Sequence, residues 1–277
     1  MGQIAFWSPV GGQAGITANM GAVATVISME YMTTTLMSHT QWEKPTLEST
    51  FIRNKVISEG EINYSTAGID ALERLVRSNK LTPELVRDFT TPILANRLDL
   101  MTGTTKPDAE LSESIPDVVN SIFYAAKQFY DVSLIDVGNG LDNSFTNAVL
   151  HNSDLIVVNL NQNQSVLEQF FNECESNEMI KDKEFVIVLG QYDRNSNCNL
   201  GHIKRTFKCN KPMYTIPHNT GYMDAINDRL VVEFFLKNKN IRPVNVNYHF
   251  MEDVRKCAKG ILVASGIDTK TYSERGA

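Results

Sequence analysis

Two hydrophobic patterns alternate along this chain almost from end to end. Short continuous apolar runs, such as Leu155-Ile-Val-Val158 and Phe185-Val-Ile-Val-Leu189, read as strands covered on both faces. They predict strands over residues 4–7, 34–38, 98–101, 132–137, 155–160, 185–190 and 213–216. Between them, apolar positions recur at helical spacing over 17–31, 46–57, 67–78, 115–130, 144–151, 164–175 and 247–263. Ser114 ahead of Ile115-Pro116-Asp117, and Thr82 ahead of Pro83-Glu84, supply N-caps. The alternation predicts an α/β protein with a doubly wound, mostly parallel sheet of about seven strands flanked by helices. The stretch 57–94 is the least regular, and small helices against one sheet edge are expected there.

No repeat, low-complexity tract or Gly/Ser linker divides the chain. Residues 1–242 are expected to form the main domain, with 243–277 a C-terminal helix and tail packed on it. Phe250, Val254, Cys257, Ala258, Ile261 and Leu262 form a stripe in that helix, and the interleaved Glu252 and Asp253 argue for core packing over a membrane surface.

Candidate chemistry begins in Ser8-Pro-Val-Gly-Gly-Gln-Ala-Gly-Ile-Thr17, a glycine loop between the first strand and the first helix. In the phosphate-binding pattern G-x-x-x-x-G-K-[ST], backbone amides face phosphate oxygens, the Lys neutralises charge and the Ser/Thr holds Mg²⁺. Here Ile16 sits where the cation belongs. The plain alternative is a tight turn that any doubly wound fold contains. A second segment, Tyr130-Asp-Val-Ser-Leu-Ile-Asp136-Val-Gly-Asn-Gly140, ends an apolar strand in an acid with a glycine four residues on. Asp136 suits a Mg²⁺-bound water and Gly140 a close approach to a terminal phosphate, with a turn-forming Asp as the alternative.

On these residues the chain resembles the ParA/MinD group of deviant-Walker ATPases, and within it the TadZ/CpaE-like proteins of pilus and secretion machinery. The loop looks like the family's S-P-K-G-G-V-G-K-T-T. Tyr130 to Asp136, Thr146-Asn-Ala-Val-Leu150 and Ser153-Asp-Leu-Ile-Val-Val158 are similar to Y-D-x-x-x-I-D, T-x-x-A-L and A-D-x-x-x-V-V. Phe185-Val-Ile-Val-Leu-Gly-Gln191 stands where the family has its base-recognition strand. Tyr214-Thr-Ile-Pro217-His-Asn219, followed by Ala225, looks like the segment bordering the adenine. The likeness covers most of residues 2–240. It implies a nucleotide site at Gly11, Gly12, Gln13, Ala14, Gly15, Ile16, Thr17, Asp136, Gly140, Gln191, Pro217 and His218, with Thr17 and Asp136 holding Mg²⁺ through water when nucleotide binds.

The departures concern charge. The family's two loop lysines fall on Val10 or Gly11 and on Ile16, and Gly12-Gln-Ala-Gly15 has one more position than the family's G-V-G. The family's D-x-D after the second strand meets Leu36-Met-Ser-His-Thr-Gln41, which offers no carboxylate. Losing a charge-assisted phosphate contact costs roughly 1.5–3 kcal/mol, so weak ATP and Mg²⁺ binding survives in this reading, whereas hydrolysis does not. No catalytic residue is assigned. The expected role is that of a localisation or scaffold factor for a bacterial Tad-like pilus or a secretion apparatus, acting as a homodimer. The alternatives are an active ATPase using a lysine or arginine supplied in trans, for which Arg53, Arg74, Lys106 and Lys127 qualify only as basic residues, and a plasmid or chromosome partitioning protein.

Composition narrows the remaining classes. The 277 residues are 42% hydrophobic, enough for a substantial core, and the net charge of −6 disfavours a nucleic-acid partner. Cys174, Cys198, Cys209 and Cys257 show no C-x-x-C pair, which suits reduced thiols. No apolar run approaches the roughly 20 residues of a membrane span, and a cytoplasmic protein recruited to membranes through a partner is expected. Phe6 occupies the position at which an N-myristoylation signal wants Ser or Thr. His39 and His218 lie near loop ends, where either suits a phosphate or base contact, although general frequency favours exposed or capped loop histidines. The polar run 159–164 reads as cleft lining or as a solvated connection. Residues 193–199 suit Asx turns, and Lys204, Arg205 and Lys208 suit a basic helix surface, with contact to an acidic partner as the alternative.

Overall fold

Eight strands form among the described residues: β1 (Gly2–Ser8), β2 (Thr35–His39), β3 (Thr91–Leu94), β4 (Leu98–Leu100), β5 (Val132–Asn139), β6 (Leu155–Leu160), β7 (Phe185–Tyr192) and β8 (Met213–Pro217). The computed structural model describes residues 1–41, 46–53, 67–104, 115–141, 143–174 and 178–272. The helices are α1 (Ile16–Glu30), α2 (Thr46–Phe51), α3 (Gly68–Arg77), α4 (Pro83–Asp88), α5 (Ile115–Phe129), α6 (Ser144–Asn152), α7 (Gln164–Glu173), α8 (Glu178–Lys181), α9 (Leu200–Thr206), α10 (Thr220–Asn227), α11 (Val231–Asn238) and α12 (Tyr248–Ala264). Ser114, Lys106, positions 54–57 of the expected second helix and the last five residues of the tail lie outside the described residues.

The sheet runs β3-β4-β2-β5-β1-β6-β7-β8, and every pair is parallel except β3 with β4. The doubly wound, mostly parallel architecture is the expected one. It has one strand more than the apolar runs suggested, because β3 hides in the irregular stretch. Its Pro92 cannot donate to a ladder, and β3 occupies the sheet edge, where that omission costs little. Asn96, at φ 57, makes the turn that folds β3 back onto β4.

Period-2 alternation divides each central strand between two cores. Ile4 and Phe6 of β1, with Val132 and Leu134 of β5, face α1, α11 and α12; Ala5, Trp7, Ile135 and Val137 face α5, α6 and α7. Continuous apolar runs result because both faces are covered. Helix α12 belongs to the first of these cores: Phe250, Met251, Val254, Cys257, Ala258, Ile261 and Leu262 are all buried. Phe250 joins Tyr222, Phe234 and Phe235 in an aromatic cluster. Beyond α12 the chain returns to α1, with the Met32 amide donating to the Lys270 carbonyl and the Arg97 guanidinium lying over the Tyr272 ring.

Local capping sets where α6 begins. The Asn143 side-chain carbonyl accepts from the amides of Phe145 at 2.7 Å and Thr146 at 3.1 Å. Asn143→Ala is expected to lose about 1 kcal/mol, read as a lower urea midpoint with an unchanged slope.

Candidate functional site

Strand β1 lies between β5 and β6, and its carboxyl end releases the glycine loop into the middle of the sheet's carboxyl-terminal edge. Gly12 and Gly15 have φ of 73° and 67°, values that side chains with a Cβ rarely adopt. Gly15 is the N-cap residue of α1, and neither a side-chain cap nor an acidic first-turn residue is present. The first-turn amides of α1 are therefore left facing outward, an arrangement that suits an anion.

The loop is braced from below by a buried amide network. Asn19 Nδ2 donates to the Ala14 carbonyl at 2.9 Å and to Asn159 Oδ1 at 3.0 Å, and Asn159 Nδ2 donates to the Val157 carbonyl. The Ala14 carbonyl lies against Gly190 of β7, where a Cβ would come within 2.0 Å of it. Neither Asn19 nor Gly190 stands out in the sequence. Asn159 does, as a polar residue in the apolar run of β6. Of the rest of that polar run, Asn161 donates to Gln13 of the loop at 3.3 Å and Gln162 reaches the Asp193 backbone, so the segment lines the loop.

At the β5 side, the Thr17 hydroxyl donates to Asp136 Oδ2 at 2.5 Å, and the Gly138 amide donates to Oδ1 at 2.9 Å. Ile16 immediately precedes that threonine as the first residue of α1. The β1–β5 register shifts after Phe6 and Asp136, so Trp7 pairs with Gly138. That irregularity brings Gly140 over β1, where its amide donates to the Ser8 carbonyl and its carbonyl accepts from Trp7 Nε1. Asp136 is 1% exposed, and burial pushes its carboxyl above the usual range against the opposing pull of Thr17, the Gly138 amide and His39. A carboxyl protonated more readily when folded than when unfolded favours the native state at low pH, and this contribution fades as pH rises through the folded pKa. Asp136→Asn is therefore expected to unfold at higher urea than wild type at pH 7, with the difference shrinking in acid. An equal or lower midpoint at pH 7 would show that Asp136 carries no burial penalty.

On the far side of Asp136 the expectation from sequence needs correction. His39 is no loop histidine: it ends β2, is 3% exposed, and pairs through Nε2 with Glu48 Oε1 of α2 at 2.7 Å. The Gly103 amide lies 3.2 Å from both groups. Burial acts to lower the His39 pKa, but the hydrogen bond and charge of Glu48 outweigh it and hold the imidazole above its ordinary value. Burial likewise opposes the ionised Glu48 carboxylate, which His39 nonetheless keeps below the usual range. Residues 36–41 carry no carboxylate, and the one beside His39 comes from α2. No spacing rule in the sequence points to it.

At the opposite side of the loop, Gln191 adopts φ 51 and its Oε1 accepts from His218 Nδ1 at 2.9 Å. The Gln191 amide nitrogen lies 3.3 Å from a Cβ built on Gly15, and Pro217 ends β8 alongside. His218 is exposed, as expected. The fold thus gathers the glycine loop, Asp136 and Gly140 on one side, and Gln191, Pro217 and His218 on the other. Two of the basic residues named for a cation in trans are engaged in ion pairs. Lys127 pairs with Asp154 beside the start of β1, at the far end of the sheet, and Arg53 pairs with Glu233.

The donors Thr17 and Asp136 are hard oxygens of the kind Mg²⁺ prefers. Among the described residues no group of three or more His, Cys, Asp or Glu is placed to hold a metal by itself, no disulfide joins the four cysteines, and no helix is long and apolar enough to cross a membrane.

The sequence matches no protein-family model and no curated protein. Solved structures do match. The chain is similar to a ParA family ATPase from Chlorobium tepidum TLS, with 19% identity, a TM-score of 0.69, and coverage of 93% of this chain and 98% of that one. It is also similar to the MinC:MinD cell division protein complex of Aquifex aeolicus, with 14% identity, a TM-score of 0.66, and coverage of 95% and 96%. The septum site-determining protein MinD of Pyrococcus horikoshii OT3, complexed with Mg-ADP, matches with 14% identity, a TM-score of 0.61, and coverage of 93% and 96%. An eight-stranded sheet in this order, covered by helices on both faces, gives the chain the α/β fold of the ParA and MinD ATPases.

Proposed function

We propose that this chain is a ParA/MinD-like nucleotide-binding protein that has given up phosphoryl transfer. In this reading it serves as a localisation or scaffold factor for a bacterial pilus or secretion apparatus, as a cytoplasmic homodimer. The observation that carries the reading is the contact of Thr17 with Asp136 at 2.5 Å beside an apolar Ile16. The pair that would hold a metal is in place, and the residue before it carries no charge. The Mg-ADP held by the Pyrococcus horikoshii relative supports a nucleotide as the ligand class. The pilus or secretion assignment is supported by the sequence resemblance to the TadZ/CpaE-like branch.

In this pocket the amides from Gly11 to Gly15 and the first turn of α1 hold a phosphate. Thr17 and Asp136 hold Mg²⁺, which supplies positive charge against the phosphates when bound. Gln191, Pro217 and His218 border the base. Phosphoryl transfer rests on fixed positive charge and an oriented nucleophile, and Ile16 supplies neither. Bound nucleotide stabilises one dimer geometry without being turned over.

Calorimetry with ATP and Mg²⁺, paired with light scattering for oligomeric state, tests the reading. The expected affinity is roughly 10- to 100-fold weaker than that of a lysine-bearing loop, with phosphate release no faster than a mock preparation. Turnover that Asp136→Asn abolishes would instead establish an ATPase that borrows its cation. Steeply salt-dependent retention on DNA would point to partitioning.

A further inference from the structure

At the far end of the sheet from the glycine loop, a cleft of about 370 Å³ opens between α5 and the last turn of α6. Asn120, Tyr124 and Lys127 of α5 line it at helical spacing, together with Asn152 of α6 and Gln3 of β1. Gln3 is 4% exposed, and its hydrogen bonds fix the orientation of its amide. Nε2 donates at 3.3 Å to both the Val149 carbonyl and Ser153 Oγ, while the Ser153 hydroxyl itself donates to that carbonyl at 2.7 Å. A turned amide would set Oε1 against the carbonyl oxygen. Oε1 is therefore the atom left for the cleft, and no donor among the described residues reaches it.

The rim continues the same chemistry. Asn152 spends Nδ2 on Asn120 Oδ1 at 2.7 Å and on the Ala148 carbonyl at 2.9 Å, which leaves its Oδ1 as an acceptor and the Asn120 Nδ2 as a donor. Lys127 gives its ammonium to both oxygens of Asp154, at 2.7 and 2.6 Å, so it is matched to a carboxylate of its own chain. Tyr124, one turn from Asn120 on the same helix, is 70% exposed.

We propose that this cleft binds an uncharged saccharide of one or two rings, a site independent of the nucleotide reading above. The buried Gln3 Oε1 requires a donor from the ligand, because leaving it unpaired beneath a bound molecule forfeits its hydration. A phosphate or carboxylate brings none. Asn152 Oδ1 and Asn120 Nδ2 ask for donors and acceptors close together, and a hydroxyl carries both on one atom. A peptide unit divides them between an N–H and a C=O that point in opposite directions. Tyr124 supplies an aromatic face for the C–H side of a sugar ring. The volume lies at the low end of the roughly 300–1,000 Å³ of small-molecule sites, which sets the limit of two rings.

Saturation-transfer difference NMR of the full chain with maltose, N-acetylglucosamine and sorbitol tests this. The two sugars are expected to bind with a Kd of about 1 mM, and sorbitol, which has the hydroxyls without a ring face, about tenfold more weakly. Tyr124→Ala is expected to weaken both sugars about tenfold, and Asn120→Ala about fivefold. Gln3→Leu is expected to abolish binding; if it does not fold by circular dichroism, the two α5 variants decide. Four results overturn the proposal: no transfer from either sugar at about 50 mM, sorbitol binding as tightly as the sugars, binding that Tyr124→Ala and Asn120→Ala leave unchanged, or tighter binding of N-acetyl-alanyl-alaninamide. The last would make an extended chain segment the occupant.

Discussion

Gly190→Ala is expected to abolish nucleotide binding and to destabilise the chain by about 3 kcal/mol, the upper part of the range for overpacking a close-packed site. The added methyl would stand 2.0 Å from the Ala14 carbonyl oxygen and 2.6 Å from Asn19 Nδ2. Neither atom is the far end of a flexible side chain. The carbonyl belongs to the loop backbone, and the amide nitrogen is fixed by Ala14 and Asn159. Relief therefore requires the loop to lift off β7, which turns its amides away from a phosphate. Gly12→Ala is the matching control: its Cβ meets nothing within 4 Å, and only the φ of 73° opposes it, a cost of roughly 1 kcal/mol. Urea midpoints and calorimetry with Mg-ADP would check both. A Gly190→Ala protein that binds as wild type does would show that the seat of the loop on β7 does not govern the site.

Ending the chain after Asn247 is expected to prevent folding altogether. The deletion removes α12, and with it the seven apolar side chains that cover α1 and β8. Phe250, Met251, Val254, Ile261 and Leu262 each contribute roughly 1.5–3 kcal/mol when fully buried, so their combined loss is of the order of a domain's whole stability of about 5–15 kcal/mol. Asp253 leaves too, freeing Arg194 and Thr215, which it holds at 2.6 and 3.0 Å. Near-ultraviolet circular dichroism and limited proteolysis would report the outcome. A truncated chain with a cooperative unfolding transition would make 243–277 an appendage rather than part of the main core.

The candidate site was legible where its chemistry is local. Gly12 and Gly15 announce a loop that needs positive φ, and Asp136 is an acid set in the apolar run of β5, so their spacing along the chain already suggests an anion cradle. His39 and Glu48 were not legible in this way. They meet because α2 folds back over the end of β2, across a stretch whose polar residues show no motif. Asn19, Asn159 and Gly190 come from α1, β6 and β7, and their roles exist only in the contact they make together beneath Ala14.

Apolar periodicity alone established that strands and helices alternate and that the central strands are covered on both faces, because a strand buried on two sides is apolar at most of its positions. It also established that no cation stands at position 16. Packing decided that β3 joins the sheet as an antiparallel edge, since a four-residue segment with a proline carries no strand signal of its own. Packing also set the charge balance beside Asp136, because Coulomb interactions act between neighbours in space, and the carboxylate of Glu48 enters from a different element.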